Sequence, residues 1–283
     1  MNVSPSLRGI ARWCMLPASL LALSADAGTA QDISQEWDGP ANVALELDRP
    51  FFSYDDSFTA LTGLGYLSGT FGGGRARFLF DIPFARGGID SGDFSSSSSM
   101  IGSPYVGIGW VPAAERTGFS GSVGARIPVP EGFVFGDDDY ASGIGIMGDP
   151  DRLEAFLTET VTASGLLRYE YPLNEGVFVR GQLDADVLIF TDPGSGDSVE
   201  AFTGWGGLLG WEGDAAFASA QLTGRVLLTE DGEDRMWHHL QGRAGMTFGA
   251  FQPWVGVRLP IQGDFVQDTD WTLQLGLRWN LGG

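Results

Sequence analysis

The sequence predicts an all-β fold: a transmembrane antiparallel β-barrel of about twelve strands, with ten to fourteen open. Three observations predict it. The chain closes on "DWTLQLGLRWNLGG", in which Trp271, Leu273, Leu275, Leu277, Trp279 and Leu281 alternate with Thr272, Gln274, Gly276, Arg278 and Asn280. That is the period-two pattern of a strand with one apolar and one polar face. Second, the polar faces are too charged to be buried unpaired: "GVFVRGQLDADVLIF" sets Arg180, Gln182, Asp184 and Asp186 against Val177, Val179, Leu183, Ala185, Val187 and Ile189. Isolated charge in a dry interior is prohibitively costly, so the apolar face looks to lipid and the polar face to a wet lumen. Third, the connections alternate when read back from the C-terminus. "QGDFVQDT" is long, "AFQP" short, "TEDGEDRMW" long, "EGD" short, "TDPGSGDS" long and "LNEG" short. Short periplasmic turns with long outer loops are the pattern of an outer-membrane barrel whose termini both lie in the periplasm.

Residues 1–30 read as a secretory signal peptide, with 31–283 as the barrel. Arg8 and Arg12 precede a short apolar run from Met15 to Leu23, and small residues at Ala25, Ala27, Gly28 and Ala30 offer cleavage sites. The single cysteine, Cys14, leaves with this segment, so no thiol or disulfide chemistry is expected in the mature chain. No later apolar run reaches the roughly 18 to 20 residues a spanning helix needs, which leaves a closed barrel as the way to cross a membrane.

Strands are predicted at 41–48, 58–70, 75–84, 103–112, 118–129, 163–173, 176–190, 199–212, 215–229, 238–249, 253–262 and 270–281. Among the outer loops, "RPFFSYDD", "ARGGIDSGDFSSSSSMIG" and the long stretch from Pro130 to Thr162 stand out. The last of these carries a helix signal near 149–161. Asp149 reads as N-cap, Pro150 as first helical residue and Glu154 as a first-turn acid, with Leu153, Phe156, Leu157 and Val161 on one stripe. Such a helix is either a constriction inserted over a pore or a short element packed on the rim.

The chain holds 36 acidic residues against 16 arginines and no lysine, a net charge of −20. A balance this acidic argues against nucleic acid or anionic lipid headgroups as partners. On strands with readable faces, however, Arg75, Arg77, Arg126, Arg168, Arg180, Arg225, Arg243, Arg258 and Arg278 point inward, opposed by Asp81, Glu170, Asp184 and Asp186 and, as a fifth, Glu200. The expectation is a locally basic lumen. It is either a path for anionic or carboxylate-bearing solutes or an arginine–carboxylate ladder that fills a narrow barrel.

Two resemblances add to this reading. The stretch from Gln274 to Leu281, with Gly276 and then Trp279, resembles the C-terminal assembly signal of outer-membrane barrels, which implies the barrel-assembly machinery as a partner. It departs from that pattern in ending on Leu281 and two glycines rather than on an aromatic residue. The segments "FDIPFARGG", "ARIPVPEG", "YEYPLNEG" and "VRLPIQGD" each put proline and a hydrophobe before a glycine-containing loop. This cadence is similar to barrels of the phenol-degradation meta-pathway family, and implies passage of hydrophobic or aromatic compounds. Proline at these places is expected at the barrel rim, where a missing donor is tolerated.

Two function classes stay open: a passive channel or transporter for small aromatic, amphipathic or anionic molecules, and a closed structural or adhesive barrel without transport. A barrel hydrolase is a third. It would rest on His238 or His239, with Asp231 or Asp234 as partner of His238. Outer-membrane phospholipases resemble the chain in strand number, but their His followed by a Ser-Asn-Gly element is absent. No cofactor or metal is expected, because Asp137, Asp138 and Asp139 lack the alternating ligand spacing of a Ca²⁺ loop. The expected partners are outer-membrane lipid, the assembly machinery and a small-molecule solute.

Overall fold

The computed structural model describes residues 41–52, 58–71, 76–90, 95–110, 118–129, 134–136, 143–146, 148–191, 199–229, 236–262 and 269–281. Residues 1–30, read above as a signal peptide, and Arg75, Asp137 to Asp139, Asp231 and Asp234 lie outside these residues. The strands are β1 (Asn42–Phe52), β2 (Phe58–Phe71), β3 (Ala76–Asp90), β4 (Ser95–Ile101), β5 (Tyr105–Trp110), β6 (Gly118–Arg126), β7 (Val134–Gly136), β8 (Thr160–Asn174), β9 (Val177–Phe190), β10 (Val199–Glu212), β11 (Ala216–Leu227), β12 (Met236–Met246), β13 (Phe251–Gln262) and β14 (Thr269–Asn280).

Twelve of these close an antiparallel barrel. The closing ladder joins β1 to β14 from Asn42↔Asn280 to Phe51↔Trp271, and the rings of that last pair stack at 4.0 Å. The two additional strands arise because one wall strand is broken. The first half of β3 pairs with β5, from Ala76↔Trp110 to Asp81↔Tyr105, and its second half with β4, from Phe84↔Ile101 to Asp90↔Ser95. Between β4 and β5 lie Gly102, Ser103 and Pro104, and the short β7 pairs with β4 beyond the break.

Burial follows the predicted alternation but inverts the soluble rule. Val179, Leu183, Val187 and Ile189 are exposed, while Arg180, Gln182, Asp184 and Asp186 are buried. In a closed barrel this places charge inside and hydrocarbon outside. Exposed aromatics gather at the short-turn end: Phe71, Trp110, Phe119, Tyr171, Trp211, Phe248, Phe251 and Trp279. Amphipathic rings favour the boundary between lipid and water, so this belt marks one membrane interface.

Three expectations about the ends of strands change. The segment read as a loop from 85 to 102 is largely β3 and β4, and β1 runs on through Phe52. A serine run shows no apolar alternation, yet the edge of β3 past the break offers it a row of backbone partners. Of the four prolines, Pro128, Pro172 and Pro260 lie at or beside a strand end, as expected, and Pro83 lies within a strand. Pro83 lies where β3 changes partner from β5 to β4, Pro128 just past the last pair of β6, Pro172 at a register shift in β8, and Pro260 at the register shift between β12 and β13. Each marks an irregularity of the ladder, where an absent N–H costs no regular bond. Finally, the helix near 149–161 is a 3-10 helix at Pro150–Ala155, with Pro150 at its start. Asp149 makes no side-chain cap bond, and Thr160 and Val161 belong to β8.

Candidate functional site

The 3-10 helix and the helical turn at 143–146 before it do not rest on the rim. Ile144, Ile146, Leu153, Ala155 and Phe156 are buried in one cluster with Ala60 of β2, Ala85 of β3, Met100 of β4, Leu188 of β9, Phe202 of β10 and Leu227 of β11. The same segment reaches β1, β6, β12 and β13 with charged groups. Its side chains therefore meet strands all around the ring, and the segment fills the lumen at this level as a plug.

The charged contacts are dense. Arg152 pairs with Glu46 of β1 and with Asp149 at 2.6 Å, with Asp48 at 3.7 Å. Arg258 of β13 bridges Asp48 at 3.0 Å, Asp149 at 3.0 Å and Asp151 at 2.8 Å. His239 Nδ1 lies 2.9 Å from Asp151, to which Trp237 Nε1 also donates at 3.4 Å. Across the barrel, Arg126 of β6 holds Asp81 at 2.7 Å and Glu154 at 3.3 Å. Burial raises the Asp151 carboxyl, but His239 and Arg258 outweigh it and hold the group well below the usual carboxylate range. Burial works against the charge of Arg152 as well, and Asp149, Glu46 and Asp48 overcome it to raise that guanidinium further.

The broken wall strand is what lets the plug dock by its backbone. Ser103 N–H donates to Ala155 O at 2.6 Å, Ser103 Oγ to Leu157 O at 3.3 Å, and Arg126 Nη1 to Ser103 O at 3.0 Å. A continuous ladder would have used these groups. Gly102 permits the approach, since a Cβ there would lie 2.1 Å from Ala155 O.

Toward the short turns the lumen opens into a cavity of about 80 Å³, large enough for several waters. Its wall combines Tyr66, Phe178, Phe217 and Trp254 with Arg180, Arg243 and Arg278, and with Glu46 and Glu212. The space exists because rings lie flat over glycines on the neighbouring strand. Phe178 covers Gly210, Phe217 covers Gly245 and Trp254 covers Gly276, in each case its direct partner in the ladder. The Arg243 guanidinium stacks over Trp254 at 4.0 Å, and Arg278 donates to Gln252 at 2.7 Å.

The remaining residues singled out from sequence fall as follows. Arg77, Arg168, Glu170, Asp184, Asp186 and Arg225 are all buried on the inner face. Arg180 pairs with Glu170 and Arg225 with Asp186 at 3.1 Å, while Arg168 donates to Gln182 at 3.1 Å. Gln274 is buried and donates to Asp48, whereas Trp279 and Leu281 are exposed on the outer face. His238 stands 5.6 Å from the Trp205 ring on that outer side, and it is His239 that meets an acid.

The expected basic lumen is corrected by the plug and by β1. Among the described residues the interior buries ten carboxylates against eight arginines, with Arg278 half-buried, so it is close to neutral. Glu46 and Asp48 were legible in "ALELDRP", where they alternate with Leu45 and Leu47. Asp149, Asp151, Arg152 and Glu154 had no such signal, because a loop sequence does not say which way the loop turns. The one hint was the apolar content of "GIGIM", high for a solvated loop.

No protein-family model matches the chain, and no curated protein matches it. Solved structures do. An outer membrane channel from Pseudomonas putida superposes with a TM-score of 0.59 at 12% identity, covering 86% of this chain and 96% of that one. The transport unit of the autotransporter AIDA-I from Escherichia coli gives 0.51 at 11% identity, covering 95% and 97%. At such identities the likeness is one of fold: the chain has the architecture of bacterial outer-membrane barrels.

Proposed function

We propose that the protein is a bacterial outer-membrane channel for small solutes, closed in this conformation by residues 143–156. The observation that carries the reading is the pairing of a lumen-filling plug with an open cavity beneath it. A barrel that only needed a solid core would have no reason to keep room on one side. The expected signal peptide and the resemblance of the C-terminus to an assembly signal support an orientation with the short turns in the periplasm, which makes the cavity a periplasmic vestibule. Its rings and guanidinium groups suit small amphipathic or anionic solutes, since stacked arginine binds carboxylates while the rings cover apolar surface. The fold shared with an outer membrane channel supports the reading, as does the resemblance to the meta-pathway barrels.

The test is to replace residues 143–156 by a glycine-serine linker and record purified protein in planar bilayers. The folded variant should show large steady conductance where the parent shows little. Removing Asp149, Asp151, Glu154 and Arg152 leaves a wall of seven carboxylates and eight arginines counting Arg278, so its preference should be weakly anionic and fade as salt shortens the Debye length. A folded variant that does not conduct would favour the closed structural barrel, to which the buried ion-pair network also lends itself.

A further inference from the structure

The plug is seated against two unlike walls. On the side of β12, β13 and β1, Asp149 and Asp151 both meet Arg258, with Arg152 and His239 adding a second contact each. On the opposite side the match is incomplete. Glu154 is fully buried; its Oε1 meets Arg126, but its Oε2 has no hydrogen-bond partner. Arg126 is already committed to Asp81 through both terminal nitrogens and to the Ser103 carbonyl. Asp186 of β9 repeats the pattern. Its Oδ2 takes Arg225 at 3.1 Å, while its buried Oδ1 has no hydrogen-bond partner, and it lies within the fields of Glu154 and Asp184.

Two neighbouring carboxylates in a dry site, each with an oxygen left over, do not both carry full charge. One proton between them removes a charge and supplies a donor. We infer that Glu154 and Asp186 together hold one proton when the plug is seated, the charge of one opposing that of the other, and that losing it unseats the plug, which makes the segment a proton-linked gate. The consequence for transport rests on the channel reading; the linkage itself does not.

The direction follows from the seat. Burial pushes the Glu154 carboxyl up to about 7 against the pull of Arg126 and Arg225, whereas in a solvated loop it would stand at its ordinary 4.5. The seated plug therefore takes up a proton, and this contribution is full below about 4.5 and lost as pH rises through about 7. The groups acting on Glu154 are Arg126 on β6, Arg225 on β11, Asp186 on β9 and Asp149 on the plug, while Asp184 on β9 acts on Asp186, and Asp81 on β3 and Arg152 on the plug act on Arg126. Asp151, held low by His239 and Arg258, titrates only in stronger acid and does not oppose the effect in this window. The gate closes in acid and loosens toward alkaline pH.

Hydrogen exchange of the 149–156 amides in detergent-solubilised full-length barrel tests this, with rates corrected for intrinsic chemistry and the strand amides as internal reference. From pH 5.5 to 8.5 plug protection should fall by at least about tenfold, the change one linked proton gives per pH unit. Glu154→Gln and Asp186→Asn should each keep the plug protected throughout. His239→Asn should retain the pH dependence, which separates the carboxyl pair from the imidazole. A flat parental profile, an unaltered profile in both carboxyl variants, or its loss in His239→Asn would overturn the proposal. If exchange shows the linkage but neither parent nor plug-replaced barrel conducts, the channel reading fails and the proton site stands.

Discussion

The two halves of the lumen are built from the same strands and solve the interior differently. In the long-loop half, charge is neutralised by charge: plug and wall groups from Glu46 to Arg258 interlock around the 3-10 helix, and an apolar cluster completes the ring. In the short-turn half, rings lie on glycines, arginines lean on rings and amides as well as on Glu170 and Glu46, and a cavity remains. The difference teaches that inward polar residues do not by themselves make a pore. Whether a narrow barrel is open depends on what is folded into it.

The largest effect should come from the filled half. Arg258→Ala leaves Asp48, Asp149 and Asp151 without their shared cation, and breaking a buried pair in this way costs about 3–5 kcal/mol. The plug should undock before the barrel unfolds, so exchange at 149–156 should accelerate while the strand amides hold. Arg278→Ala in the open half removes a half-buried guanidinium that donates to Gln252, and should cost about 1 kcal/mol. Equal losses for the two would erase the contrast drawn between the halves.

A smaller effect is expected at the aromatic lining. A Cβ on Gly276 would lie 1.9 Å from Trp254 Cε2, so Gly276→Val must drive the indole into the cavity at about 1–3 kcal/mol, read from the denaturant midpoint of the folded barrel. Gly242→Val, which meets nothing within 4 Å, is the control. Adding Trp254→Leu to Gly276→Val should recover stability. If the pair still fails to insert, Gly276 matters to the assembly signal rather than to this packing. The smallest effect on stability belongs to Trp279→Ala. Its ring is 58% exposed in the interface belt, so the folded barrel should lose no more than about 0.5 kcal/mol, while the yield of inserted protein drops. A large stability loss with normal yield would reverse that assignment.

Alternation alone determined the wall. Leu273, Leu275 and Trp279 against Thr272, Gln274 and Arg278 state which face meets lipid, because in a strand the side chain's direction is fixed by position and each strand repeats the statement. That is why the inward arginines, the outward belt and the strands with two clean faces are legible in the sequence, while 58–70 and 103–112, which lack a clean polar face, carry the statement only weakly. The loops carry no such period. The serine strand β4 needed the free edge of β3, the prolines needed a ladder to interrupt, and the acids of the plug needed Arg126 and Arg258 on strands far away in sequence. Tertiary structure decided the inside, since an ion pair is a relation between two places, and local sequence describes only one of them at a time.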